Sequence, residues 1–266
     1  MTRTEGLNLK TKDRLHLFLH NLISPLGVDG LRPVTVSPDG DGYRVETEGK
    51  AFHVPSALVW RQYRRGWAER QARLLREFGI GIAVDLGPSD TVLDVGANVG
   101  DFAVATAERC ARVIAVDGDP AVVACLKRNI DAADNILALC HVLWKEAGPL
   151  TFHSAPSKSD SSIFQPPGED STALVIDATT LDLLAETHGI DQLAVLKMDA
   201  EGAEPEVLEG GKALLARTRF VSIDTGPERL GETTTDTVAK MLAAQGFTVL
   251  PQNNQRRVVT MALRND

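Results

Sequence analysis

Residues 91–120 constrain the fold more than any other stretch of the chain. The run TVLDVGANVGDFAVATAE reads as a buried strand ending at Asp94, a turn holding Gly96, Ala97, Asn98 and Gly100, and then a helix. Glycines there permit a tight turn and let a ligand come close to the backbone. The next run, RVIAVDGDP, reads as a second strand ending at Asp117, 21 residues beyond Gly96, with Gly118 after it. An acid in that place can accept both hydroxyls of a ribose.

The surrounding pattern agrees with an open sheet. Apolar runs at 91–95, 112–116, 136–143, 194–198 and 220–223 alternate with helical stretches near 101–110, 120–132, 180–188 and 203–216. Such alternation predicts an α/β fold, a mostly parallel sheet with helices on both faces. The end breaks the rhythm. A helix near 233–245 stops at Gly246, and FTVL and RVVTMAL flank a polar segment, which predicts a C-terminal antiparallel hairpin.

Upstream, residues 11–23 read as a short helix with Leu15, Phe18, Leu19 and Leu22 on one stripe, 29–42 as a loop, and Tyr43 to Val54 as a hairpin. A helix is expected from about Ser56 to Phe78, stopped near Gly79. Its Trp60, Tyr63 and Trp67 should pack on the main domain, and its arginines should form a solvated face, with a substrate-facing role open to one or two of them. The chain thus divides into a small helical and hairpin extension, 1–78, and a main domain, 79–266. Residues 154–172, dense in Ser, Pro, Asp and Gly, read as a long loop suited to be a lid.

Composition narrows the function. A net charge of −8 argues against a nucleic-acid partner. No apolar run reaches the roughly 20 residues needed for membrane insertion, and MTRTEGLNLK lacks an apolar leader core, so a cytoplasmic protein is expected. Cys110, Cys125 and Cys140 fit no metal ribbon and are expected to be reduced and largely buried. His16 and His20 have the spacing of a zinc protease helix, but Leu17 stands where that motif needs glutamate.

The turn G-A-N-V-G is not the dinucleotide fingerprint G-x-G-x-x-G, whose glycines fit a pyrophosphate. S-adenosylmethionine has no phosphate, and its ammonium group suits an acid such as Asp94. On this reading Asp94, Gly96, Ala97, Asn98, Gly100, Asp117, Gly118 and Leu143 form the cofactor site. DVGANVG, the DGDP corner, SDSSI and above all LKMDAEGAEPEVLEGG resemble the FkbM-type methyltransferases over roughly residues 88–225. That family's usual E-P-x-P corner is here Asp117, Gly118, Asp119, Pro120. The resemblance implies a Rossmann-like class I sheet, S-adenosylmethionine as cofactor, and O-methylation of a hydroxyl on a sugar, glycan or related natural product.

Asp199 ends the strand expected beside the first one, so it should lie near the transferred methyl group. It is the first candidate base, ahead of His141 and His153. Asp199, Glu201 and Asp224 form a candidate Mg²⁺ site. The expected partner is a small-molecule or oligosaccharide acceptor, and a homodimer is a further expectation. Two readings stand beside the enzyme: a nicotinamide-dependent oxidoreductase, and a non-catalytic binding protein on the same scaffold.

Overall fold

The computed structural model describes residues 9–155, 161–164, 171–251 and 257–265. The chain opens with α1 (Thr11–Ile23). An antiparallel sheet follows, made of β1 (Thr35–Asp39), β2 (Gly42–Thr47) and β3 (Lys50–Val54). A 3₁₀ turn (Ala57–Tyr63) and α2 (Trp67–Glu77) lead into the main domain. The Pro- and Gly-rich stretch expected to be only a loop supplies β1, where Val36 pairs with Val45 and both are buried. The helix expected over 56–78 is two pieces. Gly66, at φ 90°, separates them, and a Cβ there would meet the Glu48 carboxyl at 2.5 Å.

The main domain runs β4 (Thr91–Val95), α3 (Asp101–Ala107), β5 (Arg112–Asp117), α4 (Pro120–Asn129) and β6 (Ile136–Cys140). Next come β7 (Gly148–Ser154) and β8 (Thr172–Ala178), an antiparallel pair that the sequence pattern did not reveal. Then follow α5 (Leu181–Thr187), β9 (Leu193–Met198), α6 (Glu204–Glu209), α7 (Lys212–Leu215), β10 (Thr218–Asp224), α8 (Thr235–Ala244), β11 (Phe247–Val249) and β12 (Val259–Arg264). The main sheet has the order β11-β12-β10-β9-β4-β5-β6. Its strands are parallel from β10 to β6, and β12 runs antiparallel to both neighbours.

The chain winds outward from β4 through β5 to β6, and from β9 to β10 on the other side. The order therefore switches between β4 and β9, and a crevice opens beyond their carboxyl ends. Every residue of β9 is buried, as expected of a central strand covered on both faces. The break between α6 and α7 falls at Gly210 and Gly211. A Cβ on Gly210 would lie 2.5 Å from the Trp144 carbonyl oxygen, and one on Gly211 would lie 2.6 Å from Leu181. The paired glycines that close the LKMDAEGAEPEVLEGG block therefore serve packing.

The N-terminal segment shares its core with the main domain. Leu74, Leu75 and Phe78 pack in one cluster with Val92, Phe102 and Phe220. Trp60, Tyr63 and Trp67 pack with Phe52, Val99 and Val122. The stripe Leu15, Phe18, Leu19 and Leu22 faces solvent, because α1 docks through Leu17 and His20 instead. Cys140 is exposed, since it ends the edge strand β6, whereas Cys110 and Cys125 are buried. Among the described residues no helix is long and apolar enough to cross a membrane.

Candidate active site

A cavity of about 670 Å³ opens at the carboxyl ends of the central strands. Its floor is the turn after β4. Gly96 sits at φ 65°, and a Cβ there would drive into the Asp199 carbonyl oxygen. The glycine thus lets the β4 turn and the end of β9 touch, where the Asp199 amide donates to the Val95 carbonyl at 3.0 Å. Asn98, at φ 50°, turns the chain toward α3, and Gly96, Ala97 and Asn98 all line the cavity. Gly100 is the residue before α3, against Leu126, and does not line it.

Asp117 ends β5 at the cavity wall. Its Oδ2 accepts the Asn98 amide at 2.9 Å and its Oδ1 the Asp119 amide at 3.0 Å. Burial pushes its pKa up to about 6, against those two hydrogen bonds. Each carboxylate oxygen keeps a lone pair for a further donor. Gly118 lies beside it, and a Cβ there would meet Val142 at 2.8 Å and Phe152 at 3.1 Å. Leu143 completes this wall. Asp119 points the other way. It caps α4 through the amides of Ala121 and Val122, and it accepts the hydroxyls of Ser154 at 2.6 Å and Ser161 at 2.8 Å.

Asp94 departs from expectation. It is fully buried, does not reach the cavity, and lies 2.8 Å from the Lys197 ammonium. Lys197 also donates to the carbonyls of Val95 and Gly96 at 3.2 and 2.8 Å. The acid and the lysine form a buried pair that holds β4 against β9. Burial raises the Asp94 pKa in spite of Lys197.

At the other end of the cavity, Arg257 lies 2.5 Å from Asp199 Oδ2 and 2.8 Å from Asp224 Oδ2. Burial pushes the Asp199 carboxyl up, but Arg257 and Lys197 outweigh it and hold the group below the usual carboxylate range. Its Oδ1 is buried and has no hydrogen-bond partner among the described residues. Glu228 also lines this end. Burial, then Asp199, Asp224 and Glu204, push its pKa up to about 9. Neither Arg257 nor Glu228 stood out in the sequence, since both come from irregular segments after β10 and before β12.

The candidate Mg²⁺ set is also redrawn. Oxygens of Asp199, Asp224 and Glu228 lie within 4.8 Å of one another, and Glu201 is outside the group. Glu201 lines the cavity with a left-handed backbone at φ 51°, and its carbonyl accepts the Ser162 hydroxyl. The positive charge this acid group needs is supplied by Arg257, which contacts two of its three members. The set therefore does not fit Mg²⁺ as it stands. Glu204, one turn on, is structural. Its carboxylate accepts the amides of Ala200 and Gly202 and the Thr234 hydroxyl.

His141 lines the cavity beside Asp117, and burial, then His188, lower its pKa. His153 does not line it. It pairs with Ala173 and Ser162 instead. Arg70 of α2 enters the cavity wall and pairs with Asp101 at 2.7 Å, and Tyr63 also donates to Asp101 at 2.7 Å. One arginine of the expected solvated face is therefore part of the site. The stretch expected to be a lid, 154–172, falls largely on 156–160 and 165–170, outside the described residues. Of it, Ser161, Ser162, Ile163 and Phe164 line the cavity.

The model described as "Methyltransferase FkbM domain" matches residues 94–249. The 2-O-methyltransferase NoeI of Sinorhizobium fredii is 25% identical over 162 residues, 54% of this chain and 67% of that protein. The hexuronic acid methyltransferase AglP of Haloferax volcanii is 29% identical over 138 residues, 51% of this chain and 55% of that one. The probable ribosomal RNA small subunit methyltransferase A of Methanosarcina mazei is 48% identical, but over 54 residues, so the match spans only 20% of its length. With a family match over more than half its length and a mostly parallel sheet closed by a reversed strand, the chain belongs to the FkbM methyltransferases and has the Rossmann-like class I fold.

Proposed function

We propose that the chain is an S-adenosylmethionine-dependent O-methyltransferase that modifies a hydroxyl of a sugar-like small molecule or oligosaccharide. The observation that carries this reading is one cavity with two chemically different ends. A buried acid with free lone pairs, Asp117, stands at one end. An ionised carboxylate with an unpartnered oxygen, Asp199, stands at the other. The kinship with NoeI and AglP supports a sugar acceptor. The net charge of −8 favours such an acceptor over a nucleic acid.

Asp117 would accept ribose hydroxyls, and the wall of Gly118, Val142 and Leu143 would hold the base. The turn Gly96–Asn98 would lie under the amino acid end. S-adenosylmethionine, when bound, supplies a methyl carbon made electrophilic by a positively charged sulfur. Asp199 would orient the acceptor hydroxyl through Oδ1 and take its proton as the oxygen is methylated. A carboxylate held ionised by Arg257 is a weak base. It suffices, because an alcohol oxygen becomes strongly acidic as it gains a methyl group.

The test is a panel of neutral sugars, uronic acids and oligosaccharides, scored by formation of S-adenosylhomocysteine and by the position of the new methyl group. A sugar methyl ether supports the reading. A methyl group on nitrogen or on RNA, or no binding of S-adenosylhomocysteine by calorimetry, sinks it.

A further inference from the structure

The N-terminal segment lends Gln62, Arg70, Leu74 and Phe78 to the cavity wall, although the matched family domain begins only at residue 94. Arg70 is held in place there. Its helix α2 is seated by Trp67, stacked on Phe52 at 4.1 Å, and by the buried Leu74 and Leu75. The Arg70 Nε donates to Asp101 Oδ2 at 2.7 Å, and Nη2 lies 2.7 Å from the same oxygen. The buried Tyr63 hydroxyl donates to Asp101 Oδ1, so that acid is engaged at both oxygens. Nη1 and the second hydrogen of Nη2 have no partner among the described residues. They form the end-on fork of the guanidinium, which matches the two oxygens of a carboxylate. Only 15% of the side chain is exposed, so a ligand at this fork meets a partly desolvated charge.

We propose that Arg70 binds the carboxylate of the cofactor's methionyl end, so that a segment outside the family domain completes the S-adenosylmethionine site. This rests on the cofactor reading given above. The amino acid end is zwitterionic, and its carboxylate needs a cation. Among the described residues, the lysine and arginine side chains that line the cavity are Arg70, Lys197 and Arg257. Lys197 has three ammonium hydrogens and three partners, namely Asp94 and the carbonyls of Val95 and Gly96. Arg257 is one positive charge facing two acids, Asp199 and Asp224. Arg70 faces a single acid, which Tyr63 also serves. Position agrees with this choice. Asp101, which anchors Arg70, is the first residue of α3, just past the Gly96–Asn98 turn assigned to the amino acid end. Asp117, assigned to the ribose, accepts the Asn98 amide of the same turn. Arg73, one turn further along α2, adds a second guanidinium near the first. Burial, then Arg70, lower its pKa.

The experiment is calorimetry on the full chain with two ligands, S-adenosylhomocysteine and 5′-methylthioadenosine. Both carry adenosine and a thioether, but only the first has the amino acid end. Arg70→Met should weaken S-adenosylhomocysteine by about tenfold to a hundredfold and leave 5′-methylthioadenosine unchanged. Arg70→Lys, which keeps the charge but loses the fork, should fall between. Arg70→Met also leaves Asp101 without its cation, so a double variant with Asp101→Asn separates the two effects. It should bind both ligands as the single variant does, and a double variant that regains wild-type affinity for S-adenosylhomocysteine overturns the proposal. Equal losses for the two ligands in Arg70→Met, or no loss for either, overturn it as well, while the wild-type affinity upholds the cofactor reading. A wild-type chain that binds neither ligand overturns both. If the only change in Arg70→Met is a higher KM for uronic acid acceptors, the guanidinium serves an acceptor carboxylate and the proposal fails.

Discussion

Arg257 bridges Asp199 and Asp224, so one guanidinium neutralises the acids that end β9 and β10. Without it, Asp199, Asp224 and Glu228 would face one another unpaired. Arg257→Gln should therefore raise the pKa of Asp199 and, because the carboxylate loses the guanidinium that fixes its orientation, cut turnover by about a hundredfold. Affinity for S-adenosylhomocysteine should hardly change, because Asp117 lies at the other end of the cavity. Because Arg257 supplies the positive charge of this acid group, EDTA should leave the wild-type rate unchanged. A rate lost to EDTA and restored by Mg²⁺ would show that a metal displaces the arginine during turnover.

Asp117 gives a pH test of the cofactor end. Its pKa of about 6 lies above the ordinary carboxylate value, so it is ionised at pH 8 and largely protonated at pH 5. The ionised form accepts hydroxyl hydrogen bonds, and protonation removes part of that capacity. Affinity for S-adenosylhomocysteine should fall as pH drops through about 6, and Asp117→Asn should flatten the profile at the low level. Calorimetry from pH 5 to 8 checks this. An unaltered pH profile in Asp117→Asn removes the residue from the ribose site.

Much of this site was legible in the sequence because its backbone is regular. The strand ends at Asp117 and Asp199 follow from periodicity, and the glycine turn follows from spacing. Asp94 misled because sequence gives the end of a strand but not the direction of its side chain. From the neighbouring strand β9, where it is the register partner of Asp94, Lys197 claims it. Arg257 and Glu228 were invisible for a different reason. They sit in irregular connections, and their importance comes only from meeting acids distant in sequence. The stripe of α1 was legible as helical, but periodicity shows only that a face is apolar and not what covers it.

Gly96 tests whether the turn serves packing as well as binding. A side chain at φ 65° is strained, and here it would also strike the Asp199 carbonyl, which belongs to backbone and cannot rotate away. Gly96→Ala should destabilise the fold by roughly 2–4 kcal/mol. Gly118→Ala should cost less stability, because its neighbours are the side chains of Val142 and Phe152. Its added methyl would narrow the cavity wall and weaken cofactor binding instead. Thermal melts and calorimetry on both variants separate the two effects. Equal melting temperatures would show that the β4 turn yields to the methyl group.

The pair Asp94–Lys197 is the strongest test of how β4 and β9 are held together. Both groups are buried, and the lysine also serves the carbonyls of Val95 and Gly96. Lys197→Met leaves a buried carboxylate without its cation, which should cost about 3–5 kcal/mol at pH 8. In a domain of this size that is a drop of roughly 6–20 °C in melting temperature. The sign of the pH dependence follows from Asp94. Burial already raises its pKa in the folded state, and loss of Lys197 raises it further. A group whose folded pKa lies above its unfolded value favours the folded state at low pH, and that contribution is lost as pH rises through the folded pKa. The deficit of Lys197→Met should therefore be small at pH 5 and large at pH 8. Adding Asp94→Asn should remove this pH dependence and recover part of the stability, the remainder being the two lost carbonyl contacts. A deficit that is the same at both pH values would mean that Asp94 is not the group left uncompensated.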